Sequence, residues 1–110
     1  MLYPGARMIF RRRFAAVVSA QLDLFERDHA DLLQRYEEAL RAYDRGPGDE
    51  AEERYGAYLD LVEEGAEILA GMRDAYALGL DARAEDAYVA AFERAVAKRL
   101  PRFAIEVRNQ

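Results

Sequence analysis

Residues 6–45 read ARMIFRRRFAAVVSAQLDLFERDHADLLQRYEEALRAYDR, a stretch without Gly or Pro. Apolar residues recur along it at every third or fourth position, the spacing that puts side chains on one face of an α-helix. The row consists of Phe10, Phe14, Val18, Leu22, Phe25, Leu32, Tyr36, Ala39 and Tyr43, with His29 where an apolar residue is expected. The pattern predicts one long amphipathic helix over about residues 7–44.

A second amphipathic helix is expected over about residues 49–78. Gly46-Pro47-Gly48 ends the first helix, and Asp49 is a suitable N-cap for the next. Its apolar row is Tyr55, Tyr58, Val62, Gly65, Leu69, Met72 and Tyr76. A short loop between two long helices favours an antiparallel hairpin. A turn near residue 47 pairs Tyr36 with Tyr58, and His29 with Gly65.

The remaining residues predict a shorter third helix and a C-terminal arm. Gly79 is placed to end helix two, Asp81 to cap helix three, and Pro101 to end helix three. Helix three is therefore expected over about residues 82–100. Residues 103–108 alternate with period two, and we expect residues 101–110 to pack as an extended arm, in one arrangement onto a second subunit. The fold class is all-α, in a single domain over residues 1–110.

The length of the first helix predicts a homodimer. A compact domain of this size is roughly 35 Å across, whereas a helix of about 35 residues is about 52 Å long. The helix would extend beyond a compact monomer with its apolar face uncovered, so we expect two chains to form a helical bundle. The expected interface residues are Phe14, Val18, Phe25, Tyr58, Gly65, Met72 and Tyr76.

Composition and charge restrict the possible functions. The formal net charge is -5, so the chain lacks the excess of Lys and Arg with which general nucleic-acid binders contact phosphates. The absence of Cys excludes disulfides and thiolate metal sites. Apolar runs are too short to span a membrane. We expect a cytoplasmic protein that does not bind nucleic acid.

One group of residues is a candidate metal site. Glu26 and His29 are spaced i, i+3 and share a helix face, and the hairpin register places Glu67 at the level of residue 27. Two hairpins in one bundle would bring together two Glu-x-x-His pairs and two further Glu. This ligand set resembles that of ferritin-like di-iron carboxylate proteins, and the plan is similar to that of short encapsulated-ferritin chains. The resemblance implies iron or another divalent metal at Glu26, His29 and Glu67. The alternative is a structural histidine bonded to a carboxylate.

Two further groups of residues have a structural and a functional interpretation. Tyrosines at the hairpin interface either pack the core or line a ligand groove or protein interface; they are Tyr36, Tyr43, Tyr55, Tyr58 and Tyr76. Arg11, Arg12 and Arg13 either face an internal acidic patch or bind an acidic partner or membrane surface.

No motif specifies a reaction. We expect a non-catalytic domain that self-associates, binds a protein partner and holds no cofactor, with the metal-binding bundle as the alternative.

Overall fold

The computed structural model describes the backbone of residues 4–45, 48 and 50–110, and side chains from Arg13 onward within those ranges. It is all-helical over these residues, as the sequence predicts. The helices are α1 (Pro4–Asp28), α2 (Ala30–Asp44), α3 (Ala51–Ala77), α4 (Ala82–Arg99) and α5 (Ala104–Asn109), with a 3₁₀ turn at Pro101–Phe103. Gly46, Pro47, Asp49 and the side chains of Arg11 and Arg12 lie outside the described residues. In the described part of the chain, no helix is long and apolar enough to cross a bilayer.

The long first helix expected over residues 7–44 is instead two helices, which meet at His29. The backbone of His29 has φ -119° and ψ 33°, outside the helical region. Hydrogen bonds continue across the break: the His29 N–H donates to the carbonyl of Phe25 at 2.9 Å, and the Leu33 N–H donates to that of His29 at 3.1 Å. No loop separates the two helices, and they pack on different neighbours: α1 mainly on α4, and α2 on α3.

Helix α2 packs on α3, and the rings of Tyr36 and Tyr58, which the sequence pairs, have centroids 5.8 Å apart. The ring centroids of Tyr43 and Tyr55 are 5.3 Å apart. Helix α1 packs mainly against α4, although the rings of Phe14 and Tyr76 still approach to 6.5 Å. The result is a rod of 59 × 26 × 19 Å.

Helix α4 begins at the cap that the sequence predicts. The side chain of Asp81 accepts a hydrogen bond from the backbone N–H of Ala84 at 2.9 Å, satisfying one of the free donors at a helix start. The buried residues Tyr88, Phe92 and Val96 recur every fourth position and face the core. The Tyr88 hydroxyl donates to Oε1 of Gln21 at 2.9 Å, joining α4 to α1.

The C-terminal residues form a turn and a helix, not the expected extended arm. Phe103 is 1% and Val107 0% exposed, and their i, i+4 spacing places both on the inner face of a helix. Ile105, which the alternating pattern grouped with them, is 70% exposed. Burial of two large side chains in the chain's own core therefore selects a helix over a strand.

Candidate functional site

A cleft between α1 and α3 is the candidate site. Its volume is about 160 Å³, and it is lined by Leu24, Phe25, Asp28, His29, Ile68 and Met72. The lining is mostly apolar, with a carboxylate and an imidazole at the end where α1 stops. Helix α1 packs mainly against α4, whereas α2 packs against α3, and the cleft is the space left between α1 and α3.

His29 is half-buried at one end of this cleft. Its ring lies over that of Phe25, with centroids 5.3 Å apart and planes at 38°. The space at Gly65, which the sequence pairs with His29, is occupied by the ring of Phe103. A Cβ built on Gly65 would lie 2.4 Å from Cε1 of the Phe103 ring. The absent side chain of Gly65 makes room for a ring from the C-terminal turn.

The structure gives Glu26 and Glu67 separate surroundings. Glu26 lies 3.0 Å from Nη2 of Arg99, which also donates to Asp23 at 2.8 Å. The hydrogen bond with Asp23, and after it the one with Glu26, raises the pKa of the Arg99 guanidinium. Glu67 is exposed on α3. Among the residues with described side chains, no three His, Asp or Glu form a group that could hold a metal ion. A site assembled from two chains stays a prediction.

Four of the expected interface residues lie in the core of the single chain. Phe14 and Val18 are 2% exposed and Phe25 is 0% exposed, while Gly65 is covered by Phe103. Within one chain, α4 and the C-terminal turn already cover these apolar side chains. Tyr58 and Met72 are half-buried, and Tyr76 is 38% exposed. Of the seven expected residues, these three remain accessible to a second chain.

The tyrosines form a continuous row of rings between α2 and α3. Tyr43 stacks on Tyr58, which packs on Tyr36, with centroid distances of 5.8 Å at both steps. Tyr36 continues to Phe103 at 5.1 Å. The pKa of Tyr36 is raised to about 12, mainly by burial and secondly by the neighbouring Tyr58. Tyr36 is part of the buried core, whereas Tyr43 and Tyr55 lie at the surface and are 42% and 44% exposed.

Sequence reasoning missed Arg73, which is 5% exposed. Its Nη1 donates to the carbonyl of Val107 at 2.8 Å, and its Nη2 to that of Gln110 at 3.0 Å. Carboxylates of Asp74 and Glu93 lie 2.8 and 3.3 Å from the guanidinium. The guanidinium therefore binds carbonyls at the end of α5, where the last carbonyls of a helix lack the i+4 donors of its interior. The sequence contains one indication of this burial. Arg73 lies four residues after Leu69 and four before Ala77, on the face of α3 that is buried.

No family model, no curated protein and no solved structure matches this chain.

Proposed function

We propose that this chain is a non-catalytic helical protein that acts by self-association into a homodimer and by binding another protein. The observation that supports it is the exposed area. A folded monomer of 12.5 kDa is expected to expose about 6,200 Å². This chain exposes 7600 Å². The excess of about 1,400 Å² follows from the elongated shape, 59 × 26 × 19 Å, which leaves long helix faces open to a partner.

The exposed apolar side chains support the same function. Leu24 on α1 is 40% exposed beside the cleft, and Tyr76 on α3 is 38% exposed. Ile68 and Met72 of α3 are half-buried and line the same cleft as Leu24. An apolar surface on two adjacent helices is the kind of surface that association of helical proteins covers.

The test is the mass in solution, measured by light scattering over a concentration series. We expect twice the chain mass of 12.5 kDa at tens of micromolar. The variant Leu24→Glu places a charge at the cleft and is expected to weaken association at least tenfold. Ile105→Glu is the matched control, because it places the same charge at a residue that is 70% exposed on α5. A 12.5 kDa species at every concentration would contradict the proposal.

A further inference from the structure

Among the residues with described side chains, the tyrosine rings come into contact in four pairs. The pairs are Tyr43–Tyr55, Tyr43–Tyr58, Tyr36–Tyr58 and Tyr76–Tyr88, with ring centroids 5.3, 5.8, 5.8 and 4.5 Å apart. Of these four, the pair of Tyr43 and Tyr55 is the one in which both side chains are exposed, by 42% and 44%. Ring contact and access from solvent therefore coincide at this pair.

Two exposed phenols held in contact are substrates for oxidative coupling. A one-electron oxidant removes an electron and a proton from each phenol, and the two phenoxyl radicals join through ring carbons next to their hydroxyls. Tautomerisation then restores both phenols. Overall, one C–C bond forms and two ring C–H bonds break, while two electrons and two protons reduce hydrogen peroxide to two molecules of water. Holding the rings together favours this step, because the second radical does not have to be found by diffusion.

We propose that Tyr43 and Tyr55 form an oxidative coupling site, at which a peroxide-driven one-electron oxidant joins their rings as dityrosine. Tyr43 belongs to α2 and Tyr55 to α3, so the new bond links these two helices covalently. The chain contains neither Cys nor Trp, the other side chains that give up a single electron readily, so this chemistry falls to the tyrosines. The inference is independent of the proposed self-association, because both rings belong to one chain.

The other three ring contacts each include a tyrosine that is less accessible to an oxidant. Tyr88 is 0% and Tyr36 is 6% exposed. Burial raises the pKa of both phenols, so each holds more tightly the proton that it must lose on oxidation. Tyr58 is half-buried, and its hydroxyl accepts a hydrogen bond from Nη1 of Arg102 at 3.5 Å. The fold therefore favours the exposed pair as the place where two phenoxyl radicals form side by side.

Treatment of the purified protein with a haem peroxidase and hydrogen peroxide tests the site. We expect a single-chain product that shows dityrosine fluorescence and has lost the mass of two hydrogen atoms. Trypsin cleaves between the two tyrosines, so the bond should appear as a link between peptides 42–45 and 55–73. The second peptide also contains Tyr58, and fragmentation in the mass spectrometer assigns the bond to Tyr55 or to Tyr58. A bond to Tyr58, a covalent dimer as the main product, or no cross-link would overturn the inference.

Phenylalanine variants keep each ring in place and remove its phenol. Tyr55→Phe should lower the yield of the cross-linked chain at least tenfold. Tyr76→Phe is the matched control, because Tyr76 is similarly exposed, at 38%, but its ring contacts the buried Tyr88. We expect this control to change the yield less than twofold. Equal yields from the two variants would overturn the site.

Thermal unfolding of the cross-linked chain tests whether the rings react in their native positions. A bond between α2 and α3 restricts the unfolded chain as a disulfide across a short loop does, so we expect the unfolding midpoint to rise by about 10 °C. The reference is the Tyr55→Phe chain after the same treatment, which undergoes every other oxidation without this bond. A midpoint that is unchanged or lower would show that the rings leave their native positions to react, and would overturn the inference.

Discussion

The Phe103 ring lies directly on the backbone of Gly65, at a distance that leaves no room for a methyl group. A Cβ at position 65 would fall 2.4 Å from Cε1 and 2.9 Å from Cδ1 of that ring. The ring also packs edge-on to Phe25 at 6.5 Å and beside Tyr36 at 5.1 Å. Phe103 therefore fills the space between α1, α2 and α3.

Gly65→Ala should destabilise the protein despite the higher helix propensity of alanine. Overpacking a close contact costs about 1–3 kcal/mol, and the gain in propensity offsets up to about 1 kcal/mol. We expect a net loss of about 1–2 kcal/mol in the free energy of unfolding by urea, measured at fixed protein concentration. Gly56→Ala, where the new methyl meets no atom within 4 Å, should be stabilising. Stabilisation by both substitutions would show that Phe103 does not occupy this position in solution.

Replacing Arg73 should release the C-terminal helix. Arg73→Met keeps an unbranched side chain but removes the guanidinium N–H groups that donate to the carbonyls of Val107 and Gln110. The loss of hydrogen bonds from this buried charged donor is expected to cost about 2 kcal/mol. Amide hydrogen exchange of residues 104–109 should accelerate more than that of the centre of α3. Arg27→Met, which removes an arginine with a 75% exposed side chain, is expected to change stability by less than about 0.5 kcal/mol. Equal exchange rates in the Arg73 variant and the wild type would contradict the role assigned to Arg73.

Stability should fall in the alkaline range because of Tyr36. Burial raises its pKa from 10.0 to about 12, so the unfolded chain loses this proton at a lower pH than the folded chain. The contribution of the neutral phenol is complete below pH 10 and is lost as pH rises toward about 12. Urea unfolding across this range should show a smaller decline for Tyr36→Phe. Tyr43→Phe, which removes a 42% exposed phenol of the same row, is the control. An unchanged decline in Tyr36→Phe would remove Tyr36 as its cause.

Arg99 should contribute modestly to the attachment of α4 to α1. It bridges Asp23 and Glu26 at 2.8 and 3.0 Å, with a side chain that is 31% exposed. Partly solvated ion pairs are worth up to about 1 kcal/mol and are screened by salt. Arg99→Gln should therefore cost about 1 kcal/mol in dilute buffer and less in concentrated salt. Arg41→Gln, at an exposed pair with Glu37, should cost less at either ionic strength. A larger loss for Arg41→Gln would contradict this assignment.

The sequence alone determined the helical class, the pairing of Tyr36 with Tyr58 and the Asp81 cap. Periodicity and capping depend on residues within a few positions of one another, and the short connection between α2 and α3 restricts their register. The same periodicity could not detect the break at His29, because the apolar row continues through it on both sides.

Tertiary structure decided the rest. The ring that occupies the space at Gly65, the helical C-terminus and the buried position of Arg73 all result from contacts between residues far apart in the chain. An amphipathic pattern shows that a face must be covered without specifying which segment covers it. In this chain the C-terminal segment covers the core, because Phe103 and Val107 are buried in it.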